Sequence, residues 1–229
     1  MSNASFDVDA VLFDLDGTLL DTIADLAEAS NRMLADLSRP QRTLDEIRSF
    51  VGKGIPNLVQ RCMTDGQEAS EREIDDAIVV FKRHYAEVNG SRTRVYPGVL
   101  EALQGMREAE LRLAVVTNKA QDFTVPLLER TGLAPYFDVV VSGDTLSVKK
   151  PDPAVVSHAC ELLGVALGRA LMIGDSANDA LAARGAGIPV LLVTYGYSEG
   201  MPVDSIECDG LLSSAIDALP RIRRSNASV

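Results

Sequence analysis

The sequence predicts an α/β fold in which a doubly wound parallel sheet carries an inserted, smaller α-helical domain. Three observations point there. Five short apolar runs alternate with segments of helical period, the pattern of a parallel sheet covered by helices on both faces. Between the first run and the resumption of that alternation lies a stretch of about 70 residues with helical spacing throughout and no strand signal. The runs also end in carboxylate, hydroxyl or ammonium side chains, at the edge where open parallel sheets hold their ligands.

The first run, residues 8–13, is apolar apart from Asp9 and leads into Asp14, Asp16 and a turn at Gly17. In a strand, residues i and i+2 share a face, so both carboxylates gather at its carboxyl end. Beyond Thr18, Ile23, Leu26, Ala27, Ser30, Met33, Leu34 and Leu37 recur at three and four residues, a helix broken at Ser38-Arg39-Pro40. Thr43 followed by Glu46 forms a capping box for a short second helix that stops at Gly52-Lys53-Gly54. Pro56 suits the first turn of a third helix, with Leu58, Val59, Cys62 and Met63 as its apolar stripe. Residues 64–70 read as a polar linker, and 71–88 as a longer amphipathic helix through Ile74, Ile78, Val79, Phe81 and Tyr85. A connection this long needs a core of its own. Residues 22–91 are therefore expected to form a helical domain above the strand ends, with 1–21 and 92–229 as the α/β core.

From residue 95 the alternation resumes. Tyr96-Pro97-Gly98 opens a helix through Leu100, Leu103 and Met106. Residues 111–116 form a buried strand ending in Thr117-Asn118, and Phe123, Val125, Leu127 and Leu128 mark a helix that stops near Gly132. A strand over 137–141 precedes Lys149, Lys150 and Pro151, and a helix covers 153–163. Residues 170–173 form a strand ending in Gly174-Asp175-Ser176, followed by a short helix over 177–184. Pro189 introduces the fifth strand, 190–193. Residues 212–219 read as a closing helix and 221–229 as a frayed tail.

Composition bounds the function. The chain has 229 residues, 46% apolar and 24% charged, with a formal net charge of −11. Such acidity disfavours nucleic-acid backbones as partners, and any phosphate site must supply its positive charge locally. Cys62, Cys160 and Cys208 form no CxxC or Cys/His cluster, which fits a reducing compartment. The sequence shows no signal-peptide pattern and no run near the roughly 20 apolar residues that span a bilayer. A cytoplasmic protein without a membrane partner, monomeric or homodimeric, is expected.

The strand ends make a chemical set. Asp14, Asp16, Thr117, Asn118, Lys149 and Lys150, Asp175, and Asp179 fall on one edge of a parallel sheet. Two carboxylates as close as Asp14 and Asp16 repel unless a cation or a proton lies between them. A hard divalent cation such as Mg2+ takes oxygen ligands, one or two of them carboxylates, and a carboxylate can attack phosphorus. The transition state of phosphoryl transfer carries charge on three oxygens that need a cation and donors. Asp14, Asp16 and Asp175 supply metal ligands; Thr117, Asn118 and a lysine supply donors and positive charge; Asp16 is also placed to move a proton at the leaving oxygen. His84 and His158 lie mid-helix, away from this set.

With these residues in place, the chain resembles the haloacid-dehalogenase superfamily, and within it the phosphoglycolate phosphatases, over nearly its whole length. Asp14-Leu15-Asp16-Gly17-Thr18 matches the motif DxDGT, Thr117 the strand-end hydroxyl, Lys150-Pro151 the lysine before proline, and Gly174-Asp175-Ser176-Ala177-Asn178-Asp179 the motif GDxxxD. The resemblance implies a Rossmann-like core with a helical cap and a magnesium-dependent phosphatase of small phosphorylated metabolites, 2-phosphoglycolate foremost. It implies Asp14 as nucleophile, Asp16 as general acid and base, and Mg2+ held by the side chains of Asp14 and Asp175 and the main-chain carbonyl of Asp16. Thr117 would bind phosphoryl oxygens, Lys150 would pair with Asp14 and the transferring group, and Asp179 would orient a metal-bound water or Lys150. In the cap, Lys53 between two glycines is either a contact for a small carboxylate or an exposed lysine at a helix turn. One departure is Thr22-Ile23-Ala24-Asp25-Leu26, which lacks a proline common in that family.

Other readings keep parts of the set. A dehalogenase needs no second carboxylate at position 16, a phosphomutase differs in its cap contacts, and a phospho-accepting signalling domain lacks so long a helical insertion.

Overall fold

The computed structural model describes residues 5–64 and 69–224. The first apolar run is split at Asp9 into β1 (Phe6–Val8) and β2 (Ala10–Phe13). After a turn come the two-residue β3 (Leu20–Asp21) and four helices: α1 (Ile23–Asp36), α2 (Leu44–Phe50), α3 (Ile55–Met63) and α4 (Glu71–Val88). The chain re-enters the sheet layer through β4 (Arg94–Val95), then runs α5 (Val99–Glu108), β5 (Arg112–Val116), α6 (Gln121–Arg130), β6 (Val139–Val141), α7 (Ala154–Leu163), β7 (Ala170–Gly174), α8 (Ala177–Gly185) and β8 (Val190–Val193). It closes with β9 (Gly210–Leu212), a 3-10 segment Ala215–Arg221, and β10 (Ile222–Arg224).

Six strands form one parallel sheet in the order β6-β5-β2-β7-β8-β9. Numbered by their own sequence this is 3-2-1-4-5-6, the doubly wound arrangement whose ligand crevice opens beside the first strand. Alternation along each strand feeds two cores. Val11, Phe13, Leu171, Ile173, Leu191 and Val193 face α5 and α6. Ala10, Leu12, Ala170, Met172, Val190 and Leu192 face α7 and α8. With both faces covered, the strands read as continuous apolar runs.

Two expectations are corrected. The sheet has a sixth strand, β9, where only five were expected, and its three residues are too few to show a periodicity. The closing segment is 3-10 rather than α-helical, and part of the expected tail is ordered as β10, which pairs in parallel with β1 (Phe6 opposite Ile222). Residues 65–68 of the expected linker and 225–229 of the tail lie outside the described residues.

The four helices pack around their own core, with Leu26, Met33, Leu34, Ile47, Val59 and Phe81 among its buried side chains. Thr43 and Glu46 make the expected capping box, the Glu46 N–H donating to the Thr43 hydroxyl at 3.3 Å and the Thr43 N–H to the Glu46 carboxylate at 2.8 Å. The block joins the sheet layer through two strands that pair antiparallel, β3 with β4. Asp25 ties the two connections together: buried in the first turn of α1, its carboxylate accepts from the N–H groups of Gly90, Arg92 and Thr93 and from the Thr93 hydroxyl, at 2.7–3.1 Å. Helix α1 starts without the proline noted above, and Asp25 still reaches the returning chain.

Candidate active site

The end of β2 sets the site. The Asp14 N–H continues the ladder by donating to the Ile173 carbonyl at 3.0 Å, and the Asp14 Oδ1 accepts from the Leu15 N–H at 2.7 Å. The chain then turns with Gly17 at φ +87°, and a side chain there would collide with the Asp175 carboxylate. Gly17 is thus required twice, by its left-handed backbone and by the closeness of Asp175, the residue just beyond β7.

Lys150 is buried between two of the expected acids. Its ammonium lies 2.8 Å from Asp14 Oδ1 and 2.7 Å from Asp179 Oδ1. Asp179, fully buried at the start of α8, spends its other oxygen on the Asp175 and Ser176 N–H groups and the Ser176 hydroxyl, at 2.8–3.2 Å. Asp175 is held by the Tyr197 N–H at 2.6 Å and the Ser198 N–H at 3.3 Å. The Asp14 Oδ2, by contrast, accepts no hydrogen bond from the described residues. Burial, reinforced by the charge of Asp179, pushes the Asp14 carboxyl up to about 7 against the pull of Lys150. Burial and the neighbouring charges of Asp179 and Asp14 hold Asp175 well above the ordinary carboxylate range.

Those shifts are the signature of an acid-rich site short of positive charge. One carboxylate oxygen from each of Asp14, Asp175 and Asp179 lies within 4.8 Å of the others. Three carboxylates against the single ammonium of Lys150 leave two negative charges, which a divalent cation with oxygen ligands neutralises. The donor set fits such an ion.

The second motif behaves less simply. Thr117, at the end of β5, is buried, with its hydroxyl accepting from the Lys119 N–H at 3.2 Å. Asn118, expected to contact substrate, lines the cavity but spends its amide on backbone. It donates to the carbonyls of Gly52 (2.8 Å) and Lys150 (2.9 Å) and accepts from the Lys150 N–H (2.9 Å). It thereby fixes the segment that presents Lys150. Sequence reasoning missed Lys119. Its ammonium chelates Asp16 at 3.0 and 3.1 Å and donates to the Tyr85 hydroxyl at 2.6 Å, so Asp16 stands apart from the Asp14 cluster with its own cation. Lys119 follows Thr-Asn at a strand end, the only signal available.

Lys53 is not brought into the cavity. Gly52 and Gly54 line it, while the Lys53 ammonium is paired at its edge with Glu199 at 3.2 Å, half exposed. The loop carrying Glu199 also went unnoticed in the sequence. Tyr197 packs into the helical core, donates from its hydroxyl to Asp21 at 2.9 Å and accepts from the Thr22 N–H at 2.7 Å. His84 pairs with Asp36 at 2.8 Å, on the outside of the helical block. The cavity itself measures about 50 Å³ and is roofed by Leu26, Val51, Leu58 and Tyr85 from the helices.

A site of this kind, buried carboxylates and a lysine at the carboxyl rim of a doubly wound sheet beneath a helical roof, belongs to hydrolases that work on phosphate groups. Residues 11–193 match the family model described as haloacid dehalogenase-like hydrolase, and the chain belongs to that family. It is 46% identical to the "Phosphoglycolate phosphatase, plasmid" of Cupriavidus necator over 222 residues, 97% of this chain and 96% of that one. It is 44% identical to a phosphoglycolate phosphatase of Thiobacillus denitrificans over 220 residues, 95% and 97% of the two chains. Among solved structures it superposes on "a predicted phosphoglycolate phosphatase" from Haemophilus somnus with a TM-score of 0.88 at 32% identity, covering 96% of this chain and 98% of that one. Within the family the chain is a phosphatase. No described helix is long and apolar enough to cross a membrane.

Proposed function

We propose that the chain is a magnesium-dependent phosphomonoesterase that acts through an aspartyl-phosphate on a small phosphorylated acid, 2-phosphoglycolate. The observation that carries this reading is the Asp14 carboxylate: one oxygen is anchored by Leu15 and Lys150, and the other is unengaged at the cavity. Asp14 Oδ2 attacks phosphorus, and the bond from phosphorus to the ester oxygen breaks. Asp16 gives a proton to the departing oxygen, then takes one from the water that attacks the acyl-phosphate, releasing inorganic phosphate and restoring Asp14. Lys150 and the Thr117 hydroxyl meet the charge on the phosphoryl oxygens. Asn118 and Asp179 act through Lys150, one fixing its backbone and the other its ammonium.

Asp14 and Asp175, with the main-chain carbonyl of Asp16, would hold Mg2+. When bound, the ion offsets the negative charge of the acids and of the phosphoryl group. Residues 22–91 serve as a cap on the core of 1–21 and 92–229, keeping bulk water from the acyl-phosphate. The names of the relatives support 2-phosphoglycolate as the substrate, and a cavity of about 50 Å³, room for roughly four waters, supports a small one.

The test is phosphate release from 2-phosphoglycolate. Turnover is expected to require Mg2+, to stop on chelation and return when the ion is restored, and to fall at least about 10⁴-fold in Asp14→Asn. Undiminished release by Asp14→Asn would overturn the reading.

A further inference from the structure

The chemistry above leaves one buried cation unused. The Lys119 side chain is only 3% exposed, yet it lines the cavity. Its ammonium lies 3.0 and 3.1 Å from the two Asp16 carboxylate oxygens and 2.6 Å from the Tyr85 hydroxyl, an ion pair that places a positive charge beside Asp16. The ammonium also lies 4.9 Å from the centre of the Tyr85 ring. Tyr85 comes from α4 and Lys119 from the loop after β5, so the pair spans the boundary between helical block and core.

The charges around the cavity make that lysine specific. Asp14, Asp16, Asp175 and Glu199 line it, and Lys119 is the one basic side chain among the described lining residues. Lys150 is committed to Asp14 and Asp179. A phosphorylated acid brings a carboxylate as well as a phosphoryl group, and a carboxylate placed in this acid-lined cavity away from a cation would be rejected. Its position follows from the chemistry. Asp16 is the group that serves the departing ester oxygen, and the Lys119 ammonium is 3.0 Å from Asp16 Oδ1. With Asp16 serving that oxygen, an anionic group one carbon beyond it would come within reach of Lys119, whereas one set further away would face the apolar side chains of Leu26, Val51 and Leu58.

We infer that Lys119 and Tyr85 form the receptor for the substrate carboxylate and select phosphate esters of α-hydroxy acids, in which the carboxylate is borne by the carbon that carries the ester oxygen. This rests on the phosphatase reading and deepens it. The Tyr85 hydroxyl accepts from Lys119, which leaves its own proton to donate to the same carboxylate. A neutral ester brings no acceptor for the Tyr85 proton and no carboxylate to share the ammonium with Asp16, and sites built around a polar group reject analogues that lack its partner. The receptor is complete only while the helical block is seated on the core.

The test compares 2-phosphoglycolate with ethyl phosphate, which replaces the carboxylate by a methyl group. The wild-type protein is expected to prefer 2-phosphoglycolate in kcat/KM by on the order of 100-fold or more. In Lys119→Gln the preference shrinks to within about 10-fold, chiefly through KM, while Lys119→Arg retains more of it than Lys119→Gln. An equal fall for both esters in Lys119→Gln would mean that Lys119 only steadies Asp16, and would overturn the inference while leaving the phosphatase reading intact. Release from neither ester by the wild-type protein would overturn the phosphatase reading itself. Inhibition of the wild-type protein gives a readout that needs no variant to fold. Glycolate is expected to compete with 2-phosphoglycolate, and ethanol is not; equal inhibition by the two would overturn the receptor.

Discussion

Two buried acid–ammonium arrangements flank the end of β2, and they are built differently. On one side Lys150 joins Asp14 to Asp179, and all three belong to the α/β core. On the other Lys119 joins Asp16 to Tyr85, and the last of these comes from α4. The first is anchored by backbone: Asn118 grips Lys150, and N–H groups at the start of α8 grip Asp179. The second is anchored through a single phenol from the helical block. The difference separates two tasks. On the proposed chemistry, the group that attacks phosphorus sits in a frame built almost wholly from the core, with only the Gly52 carbonyl reaching Asn118 from the helical block, whereas the group that serves the leaving oxygen shares its cation with a helix. On that reading, seating the helices bears most on the leaving-group half of the reaction.

Removing the core-bound ammonium should have the largest effect. Lys150→Ala leaves Asp14 and Asp179 buried without their cation, and is expected to cost about 3–5 kcal/mol of stability in urea unfolding without added metal. It should also lower kcat on the order of 10³-fold. Mg2+ should restore part of the stability and little of the rate. Tyr85→Phe keeps the ring and deletes only the phenol. It should lower kcat/KM for 2-phosphoglycolate by about 10-fold, mostly in KM, with about 1 kcal/mol lost in stability. If Tyr85→Phe matched Lys150→Ala in kcat, the proposed division of labour would be wrong. Lys53→Ala should do least. Its side chain is 54% exposed and does not line the cavity, reaching only Glu199 at its edge, so steady-state constants should stay within about 2-fold and stability within about 1 kcal/mol. A KM raised tenfold would instead make Lys53 a substrate contact.

Much of this comparison was visible in the sequence, for physical reasons that differ by residue. Asp14, Asp16, Lys150, Asp175 and Asp179 stand at or just beyond the ends of apolar runs, and in a parallel sheet those ends meet on one rim. Lys119 stands there too, but a lysine after a strand-end Asn reads as solvated. Its burial comes from Tyr85, which lies 34 residues earlier on a helix with no local link to it. Asn118 stands at a strand end and was expected to contact substrate, but its partners, the backbones of Gly52 and Lys150, are set by tertiary packing. The strands β9 and β10 have three residues each, and their pairing with β8 and β1 is what makes them strands. In Gly52-Lys53-Gly54, Gly54 sits against the Asn118 backbone, while the lysine between the glycines pairs with Glu199, neither of which the local sequence shows.

The central claim is that Asp14 is the residue that takes the phosphoryl group. Turnover of 2-phosphoglycolate can be quenched in acid and the protein reduced with borohydride, which converts an aspartyl-phosphate to homoserine. Peptide mass spectrometry is predicted to find homoserine at position 14, with aspartate retained at 16, 175 and 179. Homoserine at another of these positions, or none at all from protein quenched in steady turnover, would contradict the account.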